Sequence, residues 1–510
     1  MLAELHVELV RHRLQHTLEQ ADTANFEVEL DVRDEAIEVV VSGFSDSLPA
    51  LVRTIMQEVL RPMKASEVAS ELGFARIELE REYRNATQSP RAKAYELRLQ
   101  MLEIRAVTTD DKLEALQSKE GREKELAADI SHFSAVLVSG PAIRSLVTGN
   151  ISQEAAIAIV LDVVNAEAVT AGDMANFEPE SELEPEPPLL APRCHTIAIP
   201  PTTNGLLVRR ESERIGERNS IVEVYFQIGK VGPEDRAYAV LLRALLAQPL
   251  FNELRTRQQL GYTVTCSIRD THGVLGLSVS VQSASHAAGA VAKKLDVFLH
   301  EDFLHEYLLS EKRLPPKHFT SHVQTLQRVY ARPDLTLTEQ SERYWEEIVS
   351  GRLEFDLDIN VANALESCTR EGLIARYRCW LQGSTSCCNT CTDNYEERKS
   401  VHRANKNNGP RKLRVHVVGK CSPLKPLEQL VPSGYKVVQA AAIHAQTTMK
   451  NANLCIERIK TTDHENYEFT CPLKPLEQLV PPEKAPVIIT GDLDDFKRGL
   501  QCHCQVDACR

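Results

Sequence analysis

The segment at residues 251–262 carries side chains that are well suited to chemistry. It reads Phe-Asn-Glu-Leu-Arg-Thr-Arg-Gln-Gln-Leu-Gly-Tyr, a pattern that predicts a polar helix delivered through glycine into a strand. Arg255 and Tyr262 are hydrogen-bond donors that suit a peptide carbonyl whose negative charge grows during nucleophilic attack. The alternative is structural: Arg255 pairs with Glu253 or a sheet neighbour, and Tyr262 is an ordinary strand aromatic. From residue types alone, both interpretations stay open.

Neither H-E-x-x-H nor H-x-x-E-H, the two helical motifs of zinc peptidases, occurs in the sequence. The nearest inverted match, residues 16–20, ends in glutamine, which is a poor zinc ligand. His300 and His305 are one residue too far apart to share a helix face, so we interpret both as surface residues. His318 and His322 have helical i, i+4 spacing, but no third ligand is evident. We therefore expect no catalytic zinc site in this chain.

Cysteines cluster late in the sequence, at positions 379, 387, 388 and 391 and again from 502 onwards. A structural zinc site is conceivable there, but no second C-x-x-C or H-x-x-x-H lies at a finger-like distance, which favours incidental cysteines in a variable loop. Only Cys194 and Cys266 precede position 368, so the main body is not a disulfide scaffold.

Composition and charge narrow the function classes. The formal net charge of -13 and the pI near 5.7 argue against nucleic acid or an anionic membrane as a partner, because both attract basic proteins. No signal peptide or span of transmembrane length is evident, so we expect a cytoplasmic protein. A length of 510 residues with 43% apolar residues predicts a globular protein of at least two domains.

Hydrophobic periodicity predicts a repeated order of elements. An amphipathic helix opens the chain, two alternating strands follow at residues 26–32 and 37–41, and a second helix runs from Leu48 to Leu60. Further helices fit residues 66–84, 93–107 and 155–164, with a short strand at 145–148. The second half repeats helix, strand, strand and helix after a strand at 222–228. We expect the first domain to lack the corresponding leading strand.

Composition shifts set the domain limits. We assign residues 1–170 to the first domain, 171–195 to an acidic, proline-rich linker, and 196–420 to the second domain, with a Cys-rich and basic insertion at about 382–412. Residues 421–510 form an irregular tail. Within this tail the segment Pro-Leu-Lys-Pro-Leu-Glu-Gln-Leu-Val-Pro occurs twice. Ten residues are too few for a structural repeat.

The segment at 251–262 resembles the F-x-x-L-R-x-x-x-Q-L-G-Y hallmark of the C-terminal half of insulysin- and nardilysin-type metallopeptidases, members of the pitrilysin family of inverzincins. Shorter matches extend the resemblance over residues 1–381 and into a C-terminal segment at 487–500. They are Tyr-Glu-Leu-Arg-Leu at 95–99, Gly-Asn-Ile at 149–151, Gln-Ser at 282–283, Tyr-Trp-Glu-Glu-Ile at 344–348, Phe-Asp at 355–356 and Asp-Phe-Lys-Arg-Gly-Leu at 495–500.

The resemblance implies the third and fourth domains of a four-domain peptidase whose two halves enclose a chamber. The expected fold class is α+β, with two similar domains of mixed or antiparallel sheet packed with helices. Zinc belongs to the complete family enzyme and would be held by the H-x-x-E-H of its first domain, which is absent here. By the same resemblance, Arg255 and Tyr262 would face that zinc across the chamber and donate to the substrate, with Phe251 as a nearby apolar contact.

The sequence thus predicts a C-terminal half of an insulysin-like metalloendopeptidase that is inactive alone. Its partners would be a peptide substrate and a zinc-bearing N-terminal half, in cis as part of a longer enzyme or in trans. The alternative is a non-catalytic partner subunit or a peptide-binding scaffold.

Overall fold

The computed structural model describes residues 1–172, 196–383 and 409–419 except for 34–35, 45, 87–88, 105, 140, 202–204, 213 and 215, together with the backbone of residues 436–438 and 487–489. The side chains of residues 164–172 are not described. Most of the predicted linker, the Cys-rich insertion from 384 to 408 and both copies of the duplicated segment lie outside this part of the chain.

Helices dominate the first part of the chain and frame a single described hairpin. In chain order the elements are α1 (Leu2–Thr23), β1 (Glu27–Arg33), β2 (Ala36–Ser42), α2 (Leu48–Val59), α3 (Ala65–Ala86), α4 (Pro90–Leu102), α5 (Thr109–Ser118), α6 (Glu123–Ser139) and α7 (Gln153–Gly172).

Strands and helices mix in the second part, which also contains two π-helices. The elements are β3 (Leu206–Glu211), β4 (Ser220–Gly229), α8 (Pro233–Leu250), π1 (Phe251–Arg257), β5 (Thr263–Thr271), β6 (Val274–Ser283), α9 (Ala288–Val297), π2 (Phe298–Leu308), α10 (Pro316–Tyr330), α11 (Leu337–Val349), α12 (Leu357–Glu366), α13 (Arg370–Gln382), β7 (Lys412–Val418), β8 (Lys436–Val438) and β9 (Val487–Ile489).

The chain forms two compact units, and the first is mainly helical. Unit 1 combines Met1–Thr87, Val107–Pro192 and Asp334–Leu353. Its hairpin pairs β1 with β2 antiparallel, from Glu27 opposite Ser42 to Arg33 opposite Ala36. Apolar residues at helical spacing lie on one side of α1, α2, α3 and α6, and they form a common core that includes Leu5, Leu9, Ile55, Leu72 and Ile130.

Unit 2 is built on a mixed sheet. It combines Gln88–Ala106, Arg193–Pro333 and Glu354–Arg510, and its strand order is β5-β6-β4-β7-β3-β9-β8. The pairs β5–β6, β6–β4 and β4–β7 are antiparallel, whereas β7–β3, β3–β9 and β9–β8 are parallel. The sheet has helices on both faces, so its central strands β4 and β7 are almost wholly buried.

Each face of this sheet has its own core. Helices α8 and α9 supply Leu241, Leu245, Val291 and Leu295 to the larger core. Helix α4 covers the other face, where Ala94, Leu97 and Met101 join Leu413, Val415 and Val417. Arg98 of α4 is 1% exposed, and its Nε lies 3.0 Å from Glu223 Oε1 in β4.

The two units share an order of elements, and the predicted α+β class is confirmed. Helix α1 is followed by β1, β2 and α2, and β4 and α8 are followed by π1, β5, β6 and α9. The leading strand expected to be missing from unit 1 stays a prediction, as do the domain limits. The strand predicted at 145–148 is wrong, because those residues have no regular structure. No described helix is long and apolar enough to cross a bilayer.

Candidate functional site

The helix that leads to the candidate site changes type beside a proline. Pro249 lies in the last turn of α8 and has no N–H to donate to the carbonyl four residues earlier. Directly after it the backbone widens into π1, and the Gln258 N–H donates to the Glu253 carbonyl oxygen over 2.9 Å. Single π turns within helices occur frequently at functional sites because they change which side chains share a face. The sequence pattern predicted a helix here but not its π form.

Two leucines and a glycine fix the passage from π1 into β5. Leu254 and Leu260 are fully buried, and the Leu260 N–H donates to the Leu254 carbonyl oxygen over 2.9 Å. Between them the chain reverses at Gln259, whose φ of 50° lies in the left-handed region. At Gly261 a Cβ atom would lie 2.1 Å from the Gln282 carbonyl oxygen, so only glycine allows this approach to β6.

This passage brings the three predicted site residues together. The Arg255 guanidinium carbon lies 4.7 Å from the centroid of the Phe251 ring and 4.9 Å from that of Tyr262. Both distances are within the range of cation–π attraction, so the rings hold the arginine side chain. Tyr262 is 82% exposed, and its hydroxyl is therefore accessible to a ligand.

The neighbouring acid, Glu253, already has other hydrogen-bonded partners. Glu253 accepts from Arg257 Nη1 over 2.5 Å and from Gln258 Nε2 over 2.9 Å. Among the described residues, Arg255 has neither an ion pair nor a hydrogen-bonded partner for its guanidinium. The structural alternative that paired Arg255 with Glu253 is therefore wrong. Stacking uses the faces of a guanidinium, so the N–H groups at its edge remain able to donate.

The side chain of Glu253 also interacts electrostatically with acidic residues of π2. Burial raises the pKa of Asp302, and the nearby charges of Glu306, Glu253 and Glu301 raise it further. Asp302 lies in π2, the second helix of this type, so acids from two π-helices influence one another. The charge of Arg257, which pairs with Glu253, opposes this effect and lowers the pKa of Asp302.

A second polar cluster connects β7 with α9 and π2. Lys412 Nζ donates to Asp296 Oδ1 over 2.7 Å and lies 3.2 Å from His300 Nε2. Arg414 Nη2 donates to Asp296 Oδ2 over 2.6 Å. Burial alone would raise the pKa of Asp296, but the charges of Lys412 and Arg414 outweigh it and lower that pKa.

Burial dominates the titration of the basic groups in this second cluster. It lowers the pKa of Lys412 to about 8, with a further contribution from Arg414. It lowers the pKa of His300 to about 4, assisted by Lys412, and that of His416 to about 3, assisted by Arg414 and Arg209. The interpretation of His300 as a surface residue is therefore wrong, because its ring contacts a buried lysine.

Sequence analysis did not predict the second cluster, although the sequence contains the alternating pattern that places its basic residues together. In β7, basic residues alternate with apolar ones, so Lys412, Arg414 and His416 share one face. The acid that joins them, Asp296, is more than a hundred residues away, so spacing could not reveal it.

The described residues do not fit a catalytic metal site. They contain no group of three His, Cys, Asp or Glu side chains that could hold a metal ion. His318 and His322 lie together on α10, where burial and the charge of His318 lower the pKa of His322, but no third ligand joins them in the described part of the chain. His16 lies near Gln20 Nε2, at 3.1 Å, on the exposed side of α1. The cysteines at 387, 388 and 391 lie outside the described residues.

Comparisons with known proteins identify the class. Residues 1–115 match the family described as the middle or third domain of peptidase M16. Residues 241–345, which include the candidate site, match the C-terminal lobe domain 4 of PqqF-like PQQ synthases. The crystal structure of pitrilysin superposes with a TM-score of 0.65 at 14% identity, covering 88% of this chain and 41% of that one, which supports the fold. In sequence and fold the chain therefore resembles the C-terminal half of insulysin/pitrilysin-type proteins.

Curated relatives agree with this assignment. A nardilysin-like protein of Arabidopsis thaliana is 27% identical, with 79% of this chain and 38% of the relative covered. Human nardilysin is 28% identical over 73% of this chain and 30% of its own length. Human insulin-degrading enzyme is 25% identical over 74% and 34%. The chain thus spans about a third of the length of these relatives. Its homology to M16 metallopeptidases confirms the resemblance drawn from the sequence.

Proposed function

We propose that this chain is the peptide-binding C-terminal half of an insulysin-like zinc metalloendopeptidase. In this proposal Arg255 and Tyr262 donate hydrogen bonds to a substrate carbonyl and to the oxyanion that develops from it. The observation that carries the proposal is the Arg255 guanidinium, which lies over the rings of both Phe251 and Tyr262 and has no acidic partner among the described residues. A guanidinium held in this way needs little reorganisation to receive a carbonyl oxygen.

The described residues of this chain offer no set of three ligands for a metal ion, so we assign the zinc to an N-terminal half. That half would belong to the same polypeptide or to a partner. Polarising the scissile carbonyl and activating water are the chemistry that zinc supplies in such enzymes. The described residues would bind and orient the peptide and stabilise its developing charge.

A second candidate function is a peptide-binding scaffold that never meets a zinc half. It is favoured by the same two donors, of which Tyr262 is exposed, because binding a peptide carbonyl needs no metal. The two functions differ in the importance of Tyr262. In a peptidase its hydroxyl contributes more to the transition state than to the bound substrate, whereas in a scaffold it contributes to binding only.

Arg255→Ala tests peptide binding directly. We expect the dissociation constant of the 510-residue chain for a fluorescein-labelled octapeptide to rise roughly 10–100-fold, because a charge-assisted donor is lost. Fluorescence anisotropy measures it. Arg257→Ala is the matched control. It removes the same charge two residues further along the chain, and the Arg257 side chain is 72% exposed and paired with Glu253. Equal affinities for the wild type and Arg255→Ala would contradict the proposal.

Tyr262→Phe separates peptidase from scaffold. With a zinc-bearing N-terminal half added, we expect kcat for a quenched fluorescent peptide to fall roughly 100-fold, while peptide affinity changes little. Mass spectrometry of the purified chain would test our expectation that it binds no catalytic zinc alone. Stoichiometric zinc with chelator-sensitive cleavage by this chain alone would contradict the assignment of the metal to another half.

A further inference from the structure

Unit 2 has a second arginine beside two aromatic rings, and this one is buried. The guanidinium carbon of Arg98, in α4, lies 4.9 Å from the centroid of the Tyr95 ring and 5.6 Å from that of the Tyr225 ring in β4. Arg98 is 1% exposed and Tyr225 is fully buried. Both distances are within the range of cation–π attraction, so the two rings hold this guanidinium between α4 and the sheet.

Several buried donors around this arginine lack an acceptor. Arg98 Nη1 and the Tyr225 hydroxyl have no hydrogen-bonded partner among the described residues, and the same is true of Arg269 Nε in β5. A buried donor without an acceptor costs stability, because it has given up the water that satisfies it in the unfolded chain. Three such donors in one unit indicate an acceptor that the described part of the chain does not supply.

Strand pairing brings two of these donors together above a glycine. Tyr225 is opposite Ser278 of β6, and Arg269 is opposite Gly276 of the same strand. Opposite residues share a face of the sheet, and so do residues two apart in one strand, so all four lie on one face. A Cβ atom at Gly276 would lie 2.3 Å from the Tyr225 hydroxyl. The hydroxyl therefore lies over Gly276 and beside Arg269, in space that a larger residue would fill.

The neighbouring acids already have partners. Arg98 Nε lies 3.0 Å from Glu223 Oε1, which also accepts from a serine hydroxyl of β6 over 2.6 Å. Asp270, the residue after Arg269, pairs with Arg236 over 2.6 Å. Two guanidinium groups and a hydroxyl are thus left with unused donors, which favours a negatively charged acceptor.

The Tyr225 hydroxyl keeps its proton and remains a donor. Burial raises its pKa, and although the charge of Arg98 lowers that pKa, the charges of Asp270 and Glu223 raise it further. Arginine does not lose its proton in proteins. A halide ion accepts from all of these donors and has no hydrogen of its own to place, whereas a water molecule must also find acceptors for its two hydrogens.

We propose that the space above Gly276 binds a small inorganic anion of the size of chloride, through Arg98, Tyr225 and Arg269. The anion joins α4 to β4 and β5, the elements that carry these three donors. The burial of Arg98 and Tyr225 favours an ion of one or a few atoms over a larger ligand. None of the three donors belongs to the candidate site at 251–262, so the inference is independent of the proposed function.

Thermal unfolding of the 510-residue chain in two sodium salts tests the inference. Chloride is compared with gluconate at equal ionic strength, because gluconate is too large for a closed site. We expect the melting temperature to be about 2–4 °C higher in chloride, since a ligand that binds only the folded chain stabilises it. Equal melting temperatures would overturn the inference and leave a water molecule as the acceptor.

Tyr225→Phe removes one donor and keeps the ring. In gluconate we expect this variant to be at least as stable as the wild type, because a buried hydroxyl without a partner is lost, and its chloride-dependent rise should disappear. Tyr238→Phe is the matched control. Its hydroxyl accepts from the Thr369 N–H over 3.2 Å, so the control should be less stable in both salts and keep the rise. Equal rises in the wild type and Tyr225→Phe would assign the effect to the general surface and overturn the inference.

Anomalous scattering from bromide locates the ion. Crystals of the 510-residue chain grown in sodium bromide should show an anomalous peak between Arg98, Tyr225 and Arg269. Density at that place without an anomalous signal would identify water and overturn the inference. A bromide peak there, without chloride-dependent stability in solution, would mean an adventitious ion only and would overturn it as well.

Discussion

The two units use one order of elements and differ at the junction between helix and strand. Each junction contains a left-handed residue, Asn25 with φ of 59° in unit 1 and Gln259 with φ of 50° in unit 2. In unit 1, α1 stays α-helical and the next aromatic residue, Phe26, is 9% exposed. In unit 2 the helix becomes π, and Tyr262 is 82% exposed. The same order of elements thus places a buried aromatic residue after one junction and an exposed one after the other.

One ion pair from each unit illustrates how burial changes the importance of a charge. Unit 2 buries Lys412, which is 1% exposed, against Asp296 and beside Arg414. In unit 1, Arg53 and Asp162 form a pair whose side chains are 52% and 45% exposed. Buried charges depend on their partners far more than exposed ones do, because water cannot replace a lost partner. Mutations of these two pairs should therefore have unequal effects.

Asp296→Ala should have the largest effect on stability. It removes the acid between two buried cations, so we expect the free energy of unfolding to fall by about 3–5 kcal/mol. Urea denaturation followed by circular dichroism measures it. Asp162→Ala in unit 1 is the matched control and should cost below about 1 kcal/mol, because its pair is exposed. Similar losses for the two variants would remove the contrast between the units.

Gly261→Ala should come next. Its Cβ would lie 2.1 Å from a backbone oxygen of β6, which cannot move aside as a flexible side chain could, so we expect a loss of about 1–3 kcal/mol. Gly73→Ala, within α3 of unit 1, has open space at its Cβ and should instead stabilise by about 0.5–1 kcal/mol. Opposite signs in the same denaturation assay would confirm that the unit 2 junction needs its glycine.

Acid should weaken unit 2 through His416, with a smaller effect. Burial, and then the charges of Arg414 and Arg209, lower its pKa from 6.5 to about 3. Below pH 6.5 the unfolded chain takes up a proton that the folded chain does not, so the stability lost as pH falls is at most about 1.4 kcal/mol per pH unit. His416→Gln should have a flatter stability profile between pH 6.5 and 4. His16→Gln, on an exposed side of α1, serves as the control and should keep the wild-type slope.

Much of the fold could be predicted from periodicity. The opening helix, the hairpin at 26–41 and the strand at 222–228 have apolar residues at the spacing that their burial requires, and all three form. Sequence analysis missed strand β3 because its apolar run is short and is followed by three charged residues, Arg209, Arg210 and Glu211. Helix α4 was predicted as an element, but its spacing could not tell that it packs on the sheet of unit 2.

The candidate site was predictable in its residues but not in its arrangement. The motif at 251–262 identified Arg255 and Tyr262, while the stacking between them depends on the π form of the helix and on the left-handed Gln259. The pairing of Glu253 was predictable from helical spacing, because positions four apart on a helix are neighbours, as Glu253 and Arg257 are, and positions two apart, such as Glu253 and Arg255, point away from each other.

Neither unit is a continuous stretch of sequence, and this has a consequence for cooperativity. Helix α4 belongs to unit 2 although the chain on both sides of it belongs to unit 1, and α11 belongs to unit 1 although its flanks belong to unit 2. When one unit melts, it releases a helix whose two ends remain tied to the other unit, so each unit carries part of the other's free energy of folding. The described units should therefore unfold in one calorimetric transition, and no single cut in the chain would yield either of them whole.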